Sequence, residues 1–124
     1  MLDIYEKKIL ETWEEVYKKG LLTFWILLSL RADSQYMASM KRFIEEFTNN
    51  SLIVDDKSMY RALRRLTDMD LIQFTDEPGD AKGPTRKTYF LTQTGNDVLQ
   101  EFINRNIAGI FFKPEIKKLL KGAK

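Results

Sequence analysis

The stretch of sequence around which this chain of 124 residues is organised runs from Asp55 to Ile72. It reads Asp-Asp-Lys-Ser-Met-Tyr-Arg-Ala-Leu-Arg-Arg-Leu-Thr-Asp-Met-Asp-Leu-Ile. A carboxylate at its start can accept hydrogen bonds from the free amides of a first helical turn, which predicts a helix N-terminus at Asp55 or Asp56. Apolar residues recur along it at helical spacing and predict one buried face, made of Met59, Ala62, Leu63 and Leu66.

The other face of this predicted helix is basic. From Lys57 to Arg65 the sequence contains no acidic residue. We therefore expect this face to bind something anionic, and our first hypothesis is a recognition helix in the major groove of DNA, where Arg and Lys contact both phosphates and base edges. A basic helix face is also common as a merely solvated surface, and that alternative stays open at this point. The face consists of Lys57, Arg61, Arg64 and, slightly off the line, Arg65 and Tyr60.

The composition is that of one ordinary globular domain without Cys or His. Hydrophobic residues make up 44% and charged residues 31%, which is typical of a soluble protein. The formal net charge is only +2, so the local distribution of charge has to carry any argument about partners. The chain has neither Cys nor His, which excludes disulfides, zinc fingers, thiol nucleophiles and histidine acid–base chemistry. We predict no enzymatic activity, no metal site and no cofactor, and we expect a cytoplasmic protein.

No export or membrane-spanning segment is predicted. Residues 1–20 are charged throughout, unlike a secretory signal peptide. The segment Leu21–Leu30 is strongly apolar but too short to cross a bilayer, and its Leu-rich composition predicts a central buried helix. Phe111, Phe112 and the Lys-rich end are compatible with a helix at a membrane surface, but the segment is short, and packing in a dimer or a loose tail is the preferred interpretation.

The flanking segments predict a mainly α protein with a small β-hairpin, which is an α+β fold. Asp3 and Glu6 have the spacing of a capping box and predict the start of a first helix. Asp70 can end the predicted basic helix in a left-handed conformation. Leu52–Val54 is compatible with a short strand or with an extended entry to the predicted basic helix. The other predicted helices are Asp3–Lys19, Leu21–Leu30, Gln35–Thr48 and Gln93 to about Ile107. A break is predicted at Gly109, followed by a last short helix from Pro114. Two strands, Leu71–Thr75 and Thr85–Thr92, are predicted around a loop at Asp76–Pro84.

Two motifs in this order of elements carry a family resemblance. The chain resembles the PadR-like transcriptional regulators, which have a winged helix-turn-helix fold. The family typically carries a Lys-Gly pair before an apolar helix, a Ser/Thr-x-Tyr-x-x-Leu-x-x-Leu recognition helix and an Arg-Lys-x-Tyr-x-Leu-Thr-x-x-Gly segment that closes the wing. The matching residues are Lys19-Gly20, Leu22 and Trp25-Ile26-Leu27, then Ser58, Tyr60, Arg61, Ala62, Leu63, Arg64 and Leu66, and finally Arg86-Lys87, Tyr89, Leu91, Thr92 and Gly95.

The resemblance spans roughly residues 19–100 and implies one winged helix-turn-helix domain over residues 1–124. Its parts would be an N-terminal helix at about 1–19, a winged-helix core at 20–92, and a C-terminal dimerisation helix with a basic tail at 93–124. The implied function is that of a sequence-specific DNA-binding transcriptional regulator, a repressor that binds a pseudo-palindromic operator on double-stranded DNA as a homodimer. The expected DNA contacts are Lys57, Ser58, Tyr60, Arg61, Arg64 and Arg65 on the recognition helix, of which Arg65 can instead pair with Asp68, and Lys82, Arg86 and Lys87 on the wing.

Three features depart from the family pattern. Gln35 stands where the family has the Gly of a Gly-Tyr pair, so the turn between the helices is expected to differ. Asp70 replaces the Gly that usually ends the recognition helix. Acidic residues in the wing, Asp76, Glu77 and Asp80, would repel phosphates, so we expect the base of the wing to contact DNA rather than its tip.

The apolar stripes of the two outer helices predict a homodimer. Two amphipathic helices flanking a winged domain would leave apolar surface exposed on a monomer, although such stripes can also complete the core of one protomer. A dimer would set two recognition helices about one DNA turn apart, roughly 34–36 Å. Some members of the family bind planar aromatic ligands between the dimer helices, which implies a small aromatic effector beside Trp13, Phe24 and Trp25. Aromatic residues at helical spacing are more often plain core, and that alternative stays open. The predicted interface residues are Ile9, Trp13, Val16, Val98, Leu99, Phe102 and Ile103.

A second hypothesis comes from a different functional class. A winged-helix domain can serve as a protein–protein interaction module, with its basic helix bound to an acidic partner. The acidic wing and the small net charge favour this alternative, whereas the basic helix face, free of acidic residues from Lys57 to Arg65, favours DNA.

Overall fold

The computed structural model describes residues 1–78 and 85–122, and these are mainly α-helical with one β-hairpin, as predicted. The helices before the hairpin are α1 (Ile4–Lys18), α2 (Leu21–Ala32), α3 (Met37–Phe47) and α4 (Asp56–Asp68). The hairpin consists of β1 (Ile72–Glu77) and β2 (Arg86–Leu91), and it is followed by α5 (Gln93–Ile103), α6 (Gly109–Phe111) and α7 (Pro114–Leu120).

Side chains at the helix starts satisfy backbone amides that the helices leave free. The carboxylate of Asp3 accepts from the Glu6 amide and the carboxylate of Glu6 accepts from the Asp3 amide, which confirms the predicted capping box of α1. Thr92 caps α5, because its hydroxyl oxygen accepts from the Gly95 amide at 2.9 Å. Pro114 is in the first turn of α7, where its missing amide proton costs nothing.

The hydrophobic core lies where α2, α3 and α4 meet the hairpin and α5. The predicted central helix is confirmed, since Ile26, Leu27 and Leu30 of α2 are buried. The predicted apolar face of α4 is confirmed as well, since all four of its residues are buried. The core is made of Ile26, Leu27, Leu30, Met40, Ile44, Met59, Ala62, Leu63, Leu66, Leu71, Ile72, Tyr89 and Leu99.

The hairpin is fixed to the rest of the core at its base. Its strands pair antiparallel, with Ile72 opposite Leu91 and Glu77 opposite Arg86. Asp70 ends α4 in the predicted left-handed conformation, with a φ of 59°. The hydroxyl of Thr92 lies 2.7 Å from the carbonyl oxygen of Asp70 and donates to it, so the helix end and the strand exit are joined.

Three predicted boundaries were wrong. The third helix begins at Met37, because the backbone of Gln35 pairs with β2 and Tyr36 is extended. Strand β1 runs on through Asp76 and Glu77, which were predicted as loop. The third error concerns Gly109, as described next.

Gly109 does not break the C-terminal helix. Helix α5 continues through a π-helical segment, Asn104–Ala108, directly into α6, and Gly109 has a helical φ of −65°. A Cβ added to Gly109 would lie 2.2 Å from the carbonyl oxygen of Asn104, so the close π-helical turn itself requires glycine here. The break comes at Lys113, whose backbone is extended before Pro114.

The segment Leu52–Val54 forms an extended entry to α4 rather than a strand, which settles one of the two alternatives. Within residues 1–78 and 85–122, no helix has both the length and the apolar character that a membrane crossing requires.

Candidate nucleic-acid interface

Helix α4 presents its basic face to solvent because its apolar face is buried. Lys57, Arg61 and Arg64 are all exposed, and Tyr60 is 60% exposed beside them. Together with Arg65, Asp68 and Met69, they line one shallow surface groove of about 440 Å³. The structure thus brings the predicted basic residues of the helix together on one accessible surface.

The start of α4 is held by two acidic residues. The Asp55 carboxylate accepts from the Ser58 amide at 2.7 Å, and this backbone hydrogen bond lowers the pKa of Asp55. The Asp56 carboxylate lies 2.6 Å from Nζ of Lys41, which comes from α3. This hydrogen bond with Asp56 raises the pKa of Lys41. The N-terminal turn of α4 is therefore tied to α3 by an ion pair that sequence reasoning missed.

Arg65 lines the same groove but makes a hydrogen bond of its own. Its Nη2 donates to Oγ1 of Thr23 on α2 at 3.2 Å. The expected alternative partner was Asp68 or solvent, so the observed partner is different. The guanidinium of Arg65 links α4 to α2, whereas Arg61 and Arg64 are placed towards solvent.

Cations at the base of the wing lie over aromatic rings. The guanidinium carbon of Arg86 is 5.0 Å from the ring centroid of Tyr36, and Nζ of Lys87 is 4.4 Å from that of Phe74. Such cation–π contacts orient a charge while leaving it accessible. Both residues are exposed. Lys82, the third predicted wing contact, lies outside the described residues.

Tyr60 connects the basic face of α4 with the wing. It lines the groove of the α4 arginines, and it also lines a second groove with Arg86 and Lys87. The second groove includes Ser39 and Arg42 of α3, which sequence reasoning did not select. Their polarity in the sequence indicates only an exposed helix face. Their position beside the wing depends on the packing of α3 against β2.

The predicted dimer residues fall into two groups. None of the residues of α1, all of which the structure describes, is buried, and Trp13 is 69% exposed. The stripe of α1, including Ile9 and Val16, therefore does not complete the core of one protomer. On α5, Val98 and Phe102 are 48% and 46% exposed.

Leu99 is a correction to the predicted interface. It is 1% exposed and belongs to the core of the protomer, because α5 turns this residue towards α2. Ile103, one turn further on, is half-buried and packs against the same core. The apolar stripe of α5 is wider than the surface that packs on the core. One edge of the stripe is therefore buried in the core, and the other edge is exposed.

An apolar cavity of about 430 Å³ lies between the end of α1, the start of α2 and the α5–α6 region. Tyr17, Phe24, Trp25, Phe102 and Phe111 are among its lining residues. The ring centroid of Phe24 is 5.7 Å from that of Trp25 and 5.6 Å from that of Phe102. Trp13, which we expected beside Phe24 and Trp25, is not part of this lining, because it faces outward from α1.

Two helices followed by a hairpin, with a basic exposed face on the second helix, define a winged helix-turn-helix protein. Residues 26–101 match the model of the transcriptional regulator PadR-like family, which is more than half of the chain. The chain belongs to the PadR-like family of transcriptional regulators, which are not enzymes. The family resemblance and the winged helix-turn-helix prediction are confirmed.

Solved structures of the family share this fold. A PadR-like transcriptional regulator from Bacillus cereus has a TM-score of 0.65 and 27% identity, over 85% of this chain and 96% of that one. A PadR family regulator from Eggerthella lenta has a TM-score of 0.69 and 20% identity, over 96% and 98% of the two chains. PadR from Bacillus subtilis, solved in complex with operator DNA, has a TM-score of 0.61 and 24% identity over 68% of this chain. The chain spans about half of that protein, 47% of its length. No curated protein sequence matches the chain.

Proposed function

We propose that this protein is a cytoplasmic repressor that binds a pseudo-palindromic operator on double-stranded DNA as a homodimer. The observation that carries the proposal is the geometry of α4. Its apolar face is buried, while Lys57, Arg61 and Arg64 are exposed on a face free of carboxylates from residue 57 to residue 65. The Bacillus subtilis PadR structure with operator DNA supports the same kind of partner here.

Each cation has a distinct proposed role on DNA. Arg61 and Arg64 read base edges, since a bidentate Arg–guanine contact contributes about 1–3 kcal/mol of discrimination. Lys57 and Ser58 lie in the first turn of α4 and are proposed to bind a phosphate, while the Ser58 amide itself is held by Asp55. Arg86 and Lys87 bind backbone phosphates from the base of the wing.

The homodimer is proposed from the apolar surface that one protomer leaves open. Trp13 of α1 and Phe102 of α5 are both strongly exposed, and large exposed apolar patches commonly mark interfaces. Packing these helices across a two-fold axis would bury both stripes. Sedimentation at micromolar concentration tests this, and a clean monomer would reject the dimer.

A small aromatic effector is proposed as a second, separate function. The cavity beside Trp25 has a volume within the range of about 300–1,000 Å³ that is usual for ligand sites, and its lining is rich in aromatic rings. A planar aromatic dye should quench tryptophan fluorescence, and Trp25→Leu should weaken its binding, whereas Trp13→Leu should leave its affinity unchanged. Equal effects of the two substitutions would contradict this location.

The DNA proposal is tested by fluorescence anisotropy with the upstream DNA of the protein's own gene and with a random duplex of equal length. Titrations at about 50 mM and about 200 mM salt should show affinity falling with salt. Arg61→Ala with Arg64→Ala should remove the preference for the upstream DNA. Arg105→Ala with Lys118→Ala changes the charge equally, at exposed positions away from α4, and should retain it.

The same titration separates the two functional classes. If wild-type protein binds its upstream DNA no better than the random duplex, the operator-binding proposal fails. Binding to an acidic protein partner through Arg61 and Arg64, or a merely solvated surface, would then be the remaining explanations of the basic face.

A further inference from the structure

Two carboxylates stand at the end of α4 that approaches DNA in the proposed function. In helix-turn-helix proteins, the N-terminal residues of the recognition helix reach into the major groove. Asp55 and Asp56 directly precede Lys57, the first proposed phosphate contact. Uncompensated negative charge here would repel the DNA backbone.

Each of these carboxylates has a partner of its own. Asp55 caps the helix through the Ser58 amide. Asp56 is paired with Lys41 at 2.6 Å, and the two side chains differ in exposure, 24% for Lys41 and 67% for Asp56. The Lys41 side chain is therefore partly covered, whereas the carboxylate that it binds is exposed to solvent.

We propose that Lys41 is a positioning residue for DNA binding, which holds the Asp56 carboxylate in an ion pair and offsets its negative charge towards approaching phosphates. This assignment rests on the proposed DNA-binding function of α4. Lys41 acts through Asp56 rather than on DNA directly, because its ammonium group is held by the carboxylate at 2.6 Å. Glu45, one turn along α3, and Asp55 add further negative charge around the ammonium group and favour its protonated form.

A unit charge several ångströms from phosphates in solvent changes DNA affinity only moderately. Loss of Lys41 should therefore weaken binding on the order of threefold to tenfold at low salt, and less as salt screens the charge. The proposal predicts that removing Asp56 as well reverses this loss.

The experiment is a double-mutant cycle with wild type, Lys41→Met, Asp56→Asn and the double variant. Anisotropy is measured with the upstream DNA and with a random duplex, and circular dichroism checks that each variant is folded. We expect Lys41→Met to weaken binding, Asp56→Asn to bind as well as wild type or better, and the double variant to come within about twofold of wild type. Lys118→Met, at an exposed position on α7, provides a charge-matched control.

Two patterns would overturn the proposal. Equal weakening in all three variants would mean that the ion pair only holds the helices together. Equal weakening in Lys41→Met and the double variant, with a salt slope reduced by about one, would mean that Lys41 itself contacts a phosphate. The binding preference of the wild-type protein distinguishes a failure of this proposal from a failure of the proposed DNA-binding function. If wild type has no preference for the upstream DNA, the proposed function fails, whereas a preference that Lys41→Met leaves unchanged rejects only the role of Lys41.

Discussion

Gln35 and Tyr89 exchange two backbone hydrogen bonds. The Gln35 amide donates to the Tyr89 carbonyl at 3.0 Å, and the Tyr89 amide donates to the Gln35 carbonyl at 2.9 Å. This single antiparallel bridge joins the segment before α3 to strand β2, so the base of the wing is fixed to the helix-turn-helix. Extended backbone suits any residue, which explains how Gln35 occupies a position where the family pattern has glycine.

The side chain of Gln35 adds a third link, because its Nε2 donates to the Ser29 carbonyl at 2.6 Å. Gln35→Ala should lose about 0.5–1.5 kcal/mol of unfolding free energy. Gln35→Glu should lose more, because it sets a carboxylate oxygen against a carbonyl oxygen. Urea unfolding measures both, with Gln93→Ala as the exposed control. A Glu variant as stable as the Ala variant would contradict this geometry.

Gly95 lies against the backbone of the strand entry. A Cβ at this position would be 1.9 Å from the Leu71 carbonyl oxygen, and backbone cannot move aside as a flexible side chain can. Gly95→Ala should therefore destabilise the fold by about 1–3 kcal/mol or more. Thr94→Ala, on the exposed side of the same turn, should stay within about 0.5 kcal/mol in the same thermal or urea unfolding assay. Similar losses in the two variants would reject the steric explanation.

Thr92 both caps α5 and joins its start to the end of α4. Its hydroxyl oxygen accepts from the Gly95 amide, and the hydroxyl proton is directed at the Asp70 carbonyl. Thr92→Val keeps the shape but loses these bonds, and it should cost about 1 kcal/mol. Thr92→Ser retains the hydroxyl and should recover most of that stability in a denaturant titration. A Ser variant no more stable than the Val variant would contradict the capping role.

Asp55 should make stability depend on acid pH. Its pKa is lowered in the folded state by the hydrogen bond from the Ser58 amide, so its charge stabilises the fold above its unfolded-state pKa. That contribution is lost as the pH falls through the folded-state pKa. Asp55→Asn keeps a capping oxygen without the charge, so the stability difference from wild type should shrink with falling pH. Urea midpoints across the acid range measure it, and Asp68→Asn is the control at the other end of α4. A difference that stays constant over this range would reject the prediction.

Lys87 and Arg64 should affect DNA binding in different ways. Lys87 is proposed to contact phosphate, so Lys87→Ala should weaken binding to all sequences about equally and reduce the salt slope by about one. Arg64 is proposed to read a base, so Arg64→Ala should lower the preference between operator variants instead. Anisotropy with a panel of base-substituted duplexes distinguishes them. Loss of preference in Lys87→Ala would assign a base contact to the wing.

Local chemistry explains why much of the fold was predictable. The capping box at Asp3 and Glu6 involves residues three apart, and the buried and basic faces of α4 follow from helical periodicity alone. The left-handed Asp70 is likewise a local signal at a helix end. The wing-closing motif was recognised from its resemblance to the family pattern, and the structure shows its Tyr89 in the core and its Gly95 against Leu71.

Packing between distant segments accounts for what sequence reasoning missed. Leu99 and Val98 are neighbours in one apolar stripe, yet Leu99 is 1% exposed and Val98 is 48% exposed, because the angle of α5 against α2 divides the stripe. Periodicity specifies a face but not its limits.

The start of α4 shows the same division between local and long-range effects. Its helical form, its cap at Asp55 and its exposed cations follow from residues close together in the chain. The pairing of Asp56 with Lys41 and the link from Arg65 to Thr23 depend on how α2, α3 and α4 cross. Helix crossing is set by the interlocking of many buried side chains, and no short stretch of sequence contains that information.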